Sequence, residues 1–197
     1  MTTIETSQRR AEARVPMLEP RGIFGRLVSW LSRRTYGGEV PDVVLTTWNH
    51  PGVFRASLGM EFGVSRLKSL DPDLKTLAVM SSAAVIGCSW CLDFGYYAAH
   101  SEGLDTSRLR EVPRWRDSGV FSPLERQVME YAEAMTATPP EVTDEMAATL
   151  RDALGVKAFV ELTMMVAVEN ERSRMNAALG LRSQGFADRC EVPVDRY

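Results

Sequence analysis

Asp71-Pro72-Asp73-Leu74-Lys75-Thr76-Leu77-Ala78-Val79-Met80-Ser81-Ser82-Ala83-Ala84-Val85-Ile86-Gly87-Cys88-Ser89-Trp90-Cys91-Leu92-Asp93-Phe94 is the stretch that decides the fold. It opens as a helix: Asp71 can cap free N–H groups, Pro72 is pre-set for the first turn, and Asp73 suits the positive end of the dipole. The run is apolar to Ile86 and breaks at Gly87. A second helix then starts at the two cysteines, continues through Tyr96 to about Ser101, and stops at Gly103.

Outward from this pair the sequence reads as helix after helix. Upstream, Ile23–Leu31 has helical apolar spacing before Gly37-Gly38 breaks it. Pro41 opens a short segment through Trp48, and Asn49-His50-Pro51-Gly52 punctuates it. Val53 to about Leu70 carries Phe54, Leu58 and Phe62 on one face. Downstream, Pro113 to Gly119 is loop-like, and Ser122-Pro123-Leu124-Glu125 is a capping box. Its helix turns Val128, Tyr131, Ala132 and Met135 inward and stops before Pro139-Pro140. Thr143 caps another through Leu154, Gly155 ends it, and a long last helix covers about Val156 to Leu179. No period-2 strand pattern flanked by hairpin turns is present, so the class is all-α.

The 197 residues carry 45% hydrophobic and 25% charged side chains, the balance of a globular protein. At this length the chain should bury roughly two-thirds of its unfolded surface without disulfide staples. A net charge of -3 supplies no field for neutralising phosphates, so no nucleic-acid partner is expected. The longest apolar runs, Leu77–Ile86 and Leu162–Val168, fall short of the roughly 18 residues of a membrane span. Met1 to about Pro16 is charged and lacks the apolar core of a signal peptide. Residues 1–16 read as a flexible or loosely docked arm before a single domain, 17–197, and the expected compartment is the cytoplasm.

Three cysteines do not make a disulfide framework. Cys88 and Cys91, at i and i+3, lie on one helix face with Cβ atoms about 5–6 Å apart, within reach of a disulfide after modest adjustment. In a first turn they face orphan N–H groups and the positive dipole end, which favour thiolate over thiol. A thiolate attacks disulfides and peroxide O–O bonds, and its neighbour resolves the product. The bland alternative is two small buried hydrophobes. With only His50 and His100 in the chain, a four-ligand zinc site has too few partners, and neither metal nor cofactor is expected. Cys190 reads as a solvent-side thiol.

The capped helix, the glycine and Gly87-Cys88-Ser89-Trp90-Cys91-Leu92-Asp93-Phe94 resemble the core of the AhpD-like, carboxymuconolactone decarboxylase family. Trp48-Asn49-His50-Pro51-Gly52-Val53 is similar to that family's Asn-His-Pro opening, and Asn176-Ala177-Ala178-Leu179-Gly180 to its C-terminal helix ending. The resemblance spans about residues 40 to 185. It implies a multi-helix bundle with the CxxC at the start of a core helix, and assembly into homo-oligomers (dimer, trimer or hexamer). In the family's peroxidase branch the more buried second cysteine, here Cys91, attacks the peroxide. Cys88 then resolves it and meets a thiol or lipoyl-type reductant.

The chain departs from the family's relay: Thr76 stands where the pattern has Glu, and Gly95 where it has His. General acid–base assistance contributes about 10²–10⁴ in rate, so losing both groups should slow peroxidase turnover. Three residues are candidates for the missing base. Asp93 follows Cys91 by two and faces elsewhere, while His100 also reads as a helix-end residue suited to the dipole. Glu169 shares a stripe with Glu161, Met165 and Arg172 in an otherwise apolar run. Glu169 with Arg172, or Glu171 with Arg174, also read as ordinary ion pairs. Trp90, Phe94, Tyr96 and Tyr97 cluster near the pair, as core or as a pocket for a small hydroperoxide or another apolar ligand. Competing functions are a thiol-dependent peroxidase, a redox-sensing or ligand-binding oligomer, and a cofactor-less decarboxylase or lactone-handling enzyme.

Overall fold

A computed structural model describes residues 9–190 and contains no strand among them. In chain order the helices are α1 (Gly22–Thr35), α2 (Asp42–Thr47), α3 (Pro51–Val64), α4 (Pro72–Ile86) and α5 (Ser89–Ser101). The short α6 (Thr106–Leu109) and a 3₁₀ turn (Val112–Arg114) lead to α7 (Pro123–Thr136), α8 (Asp144–Leu154) and α9 (Val156–Ala178). The all-α class and the bundle with its CxxC at a core-helix start are both present.

The bundle is assembled around α4, which packs against α5, α7 and α9. Its buried side chains, Leu74, Leu77, Ala78, Met80, Ser81, Ser82 and Ala83, point in several directions, as expected of a helix enclosed by neighbours. Asp71 Oδ1 accepts from the N–H groups of Asp73 and Leu74 at 2.9 and 3.4 Å. Gly87, at φ 77°, ends the helix in the left-handed region that a side chain disfavours. Against α4, Val128, Tyr131 and Ala132 of α7 meet Leu162 and Val166 of α9. Met135 is only half-buried there. The Ser122–Glu125 capping box and the Thr143 cap stand as their sequences indicate.

Two readings need correction. Helix α3 ends at Val64 rather than near Leu70, because the next turns are satisfied from outside. Glu161 Oε2 accepts the Ser69 N–H at 2.6 Å, and Lys75 Nζ donates to the Leu67 carbonyl at 2.8 Å. Of the α3 stripe only Phe54 is buried, whereas Leu58 and Phe62 are 48% and 58% exposed. Helix α1 is turned likewise: Gly25, Ser29 and Ser32 face inward, and Ile23, Phe24, Leu27, Trp30 and Leu31 face out.

Residues 9–16 of the expected arm lie along the body; residues 1–8 fall outside the described ones. Arg9 forms an ion pair with Asp42, the Arg14 N–H donates to the Leu179 carbonyl at 2.9 Å, and Asn49 Nδ2 donates to Pro16 O at 2.6 Å. No helix among the described residues is long and apolar enough to cross a membrane.

Leu162 is fully buried between α4, α7 and α8. Leu162→Ala is expected to cost ~2–5 kcal/mol in urea unfolding, through lost transfer energy and the residual cavity.

Candidate active site

The left-handed turn at Gly87 delivers Cys88 in extended backbone to the N-cap of α5. Cys88 Sγ occupies the place that a capping oxygen usually takes and accepts the Cys91 N–H at 3.2 Å. The two sulfurs are joined as a disulfide across a Cα–Cα distance of 5.3 Å. The resemblance implied a more buried Cys91. Both are closed off within the single chain, Cys88 at 2% and Cys91 at 6% exposure.

Asn176 from the last turns of α9 reaches the pair, its Nδ2 lying 3.4 Å from Cys91 Sγ. It is 1% exposed, and its Oδ1 has no hydrogen-bond partner among the described residues. The sequence reading used Asn176 only for a helix ending and missed it as a site residue. The available signal was its spacing: Glu169, Ser173 and Asn176 stand at i, i+4 and i+7, one polar line on a buried face.

An aromatic roof lies beside the disulfide. Trp90 stacks on Phe94 with centroids 5.0 Å apart, and Phe186 stands edge-on to both at 6.3 and 5.5 Å. Tyr36 and Tyr97 complete it. Tyr96, expected here, instead packs in a different cluster under the Arg110 guanidinium. Burial, and next the Glu61 carboxylate, hold the Tyr36 phenol above its ordinary value.

Asp93 fastens the C-terminal segment. Its Oδ2 accepts the N–H groups of Gln184 and Phe186 at 2.7 and 3.1 Å, and its Oδ1 that of Ala187 at 2.7 Å. Gln184 closes the knot by accepting from the Asp42 N–H and Trp90 Nε1 while donating to Glu39 and the Val40 carbonyl. His100 is exposed about 13 Å along α5 from Cys91 and joins none of this. Cys190 is half-buried, its Sγ 3.8 Å from the Phe186 carbonyl oxygen.

Glu169 is 2% exposed and bonded to Ser173 Oγ at 2.6 Å and Arg172 Nη1 at 3.4 Å. Arg172 also grips both oxygens of Glu61. The Glu169–Arg172 pair is therefore present, but Arg174 turns to the Thr136 carbonyl and Asn170 rather than to Glu171. Glu161 pairs with Lys75 at 2.7 Å and serves the bundle. The two relay positions are structurally accounted for. Thr76 Oγ1 donates to its own helix at Pro72 O, and a Cβ on Gly95 would meet Met80 Sδ at 2.5 Å. A thioether fills the space a histidine would need.

The model of the carboxymuconolactone decarboxylase family matches residues 51–134, which take in α3 to most of α7 and the disulfide. YnjA, an uncharacterized protein of Escherichia coli K12, is 31% identical over 183 residues, covering 92% of this chain and 98% of its own. The chain belongs to the carboxymuconolactone decarboxylase family. Its fold is the AhpD core: an uncharacterized peroxidase-related protein of Ralstonia eutropha JMP134 superposes with a TM-score of 0.80 at 19% identity, over 92% of this chain and 98% of that one. The debrominase Bmp8 shares this fold at a TM-score of 0.73 and 19% identity, over 87% of this chain and 94% of its own. A fold shared by a peroxidase-related protein and a debrominase leaves chemistry to the residues around the cysteines.

Removing the Asp93 carboxylate leaves three buried or half-buried N–H groups without their acceptor. Asp93→Ala should therefore lose at least ~2 kcal/mol of stability. It should also make Cys88 and Cys91 react faster with maleimide after reduction, whereas Asp93→Asn falls between the two.

Proposed function

We propose that this chain is a thiol-dependent peroxidase-type oxidoreductase in which Cys91 attacks and Cys88 resolves. The observation that carries this reading is the joined Cys88–Cys91 pair at the start of α5, with the Asn176 amide on the Cys91 sulfur. An amide N–H on a sulfur stabilises a thiolate there, both as the attacking group and as the leaving group when a reductant opens the disulfide. In the first step the Cys91 thiolate takes the distal oxygen of a hydroperoxide. The O–O bond breaks, and the alkoxide leaves as an alcohol after gaining a proton. Cys88 then attacks the Cys91 sulfenic acid, the disulfide forms, and water departs. A lipoyl-type or other dithiol returns the pair to the reduced form and leaves as its own disulfide. Trp90, Phe94 and Phe186 make the neighbourhood suited to a small, apolar hydroperoxide. A reducing compartment such as the cytoplasm keeps such a dithiol available.

A second reading, a redox-responsive oligomer without fast turnover, is favoured by one observation: Thr76 and Met80 leave no acid–base group at the relay positions. The deciding experiment is hydroperoxide consumption with a dithiol reductant. Turnover in wild type that disappears in Cys91→Ser is expected. Equal, negligible turnover in both would sink the peroxidase reading, and oxidation that changes the assembly or ligand affinity would then establish the second.

The homo-oligomer is part of the proposal, supported by the outward apolar stripe of α1. Light scattering should give a multiple of the chain mass for wild type and a smaller assembly for Leu27→Glu. A wild-type monomer would refute it.

A further inference from the structure

Three polar side chains run down one buried face of α9. Glu169, Ser173 and Asn176 are each at most 2% exposed. The line is about 10 Å long and ends on the Cys91 sulfur through the Asn176 amide. At its head Ser173 Oγ donates to Glu169 Oε1 at 2.6 Å. Arg172 lies 3.4 Å from the other carboxylate oxygen, but its Nε and Nη2 hold both oxygens of Glu61 at 2.7 and 2.5 Å. Two carboxylates thus share one cation. Glu169 is the deeper of the two and has the weaker contact, so it is the one held neutral more readily.

The groups facing Glu169 are Ser173 and Arg172 from its own helix and Glu61 from α3. Burial pushes its carboxyl up to about 7, against the lowering pull of Ser173 and Arg172, and Glu61 adds to the rise. At the other end, Asn176 Oδ1 is buried without a partner among the described residues. Such an atom calls for an explanation, and a partner that comes and goes is one. A disulfide sulfur has no proton to offer it, whereas the Cys88 thiol of the reduced pair has one.

We propose that Glu169 is a positioning residue whose proton follows the redox state of the cysteine pair, taken up on reduction and released as the disulfide re-forms. This rests on the redox reading of Cys88 and Cys91. When a dithiol carrier opens the disulfide it supplies two electrons and two protons. Cys88 keeps one proton as a thiol, Cys91 remains a thiolate beside Asn176, and Glu169 holds the second. In the peroxide step that second proton leaves with the alkoxide as the alcohol. The Cys88 proton then leaves with the sulfenic hydroxyl as water, and Glu169 returns to the lower proton occupancy it has with the disulfide formed. A thiolate about 10 Å away, at an effective dielectric near 20, favours the protonated carboxyl about tenfold.

The test is infrared difference spectroscopy of the whole chain, oxidised against dithiothreitol-reduced, at pH 7 and across a pH titration. Reduction is expected to raise a protonated-carboxyl C=O band that is missing in Glu169→Gln and shifted in frequency in Ser173→Ala. Its titration midpoint should move up by about one pH unit in the reduced protein. Complete reduction, verified by thiol titration, with the band and its midpoint unchanged would overturn the proposal. A disulfide that dithiothreitol cannot open in the folded protein removes the redox reading and this inference together. The band shift without hydroperoxide consumption keeps the Glu169 coupling and removes only the peroxidase reading.

Discussion

The left-handed turn at Gly87 is the constraint on which the rest of the site depends. Only there can the enclosed helix α4 stop abruptly enough for the next residue to become the N-cap of α5. The Gly87 and Cys88 N–H groups both return to the Ala83 carbonyl, so the turn is hydrogen-bonded and not merely permitted by glycine. Because the capping atom is a cysteine sulfur, the helix terminus and the redox group are the same object. The orphan N–H groups that every helix start must satisfy are thereby directed at chemistry.

Around this turn the fold encloses the pair from two directions. Helix α9 supplies the Asn176 amide from one side. From another, the segment after α9 folds back through Leu181 and Phe186, whose side chains pack against Cys88, Trp90 and Cys91. A single carboxylate, Asp93, holds that segment by three backbone N–H groups, an arrangement more often met at anion sites. Its charge is spent on architecture. The same holds for Glu161, whose bonds to Lys75 and Ser69 outweigh its burial and keep its carboxyl below the ordinary value. Glu169 differs, because its guanidinium partner is already engaged by Glu61.

Much of this was legible in the sequence, and for local reasons. Caps, prolines and glycines fix helix ends through contacts a few residues apart, so Asp71, Ser122, Thr143 and Gly155 marked their boundaries well. The cysteine spacing announced its own geometry. What stayed hidden depended on distant partners. Residues 65–70 leave the helix because Glu161, some ninety positions later, accepts the Ser69 N–H. Asp93 became an anchor only once Gln184, Phe186 and Ala187 were seen around it. Periodicity identified the apolar stripe of α1 without indicating that it faces outward, since spacing defines a face and not what covers it.

The contact between Gly95 and Met80 has a consequence for how this member of the family could change. A side chain added at position 95 would collide with a buried sulfur on the neighbouring helix. Restoring a histidine there requires the flexible Met80 thioether to swing aside. The two positions form a linked pair across the α4–α5 seam. A side chain at position 95 is thus coupled to the rotamer chosen at position 80.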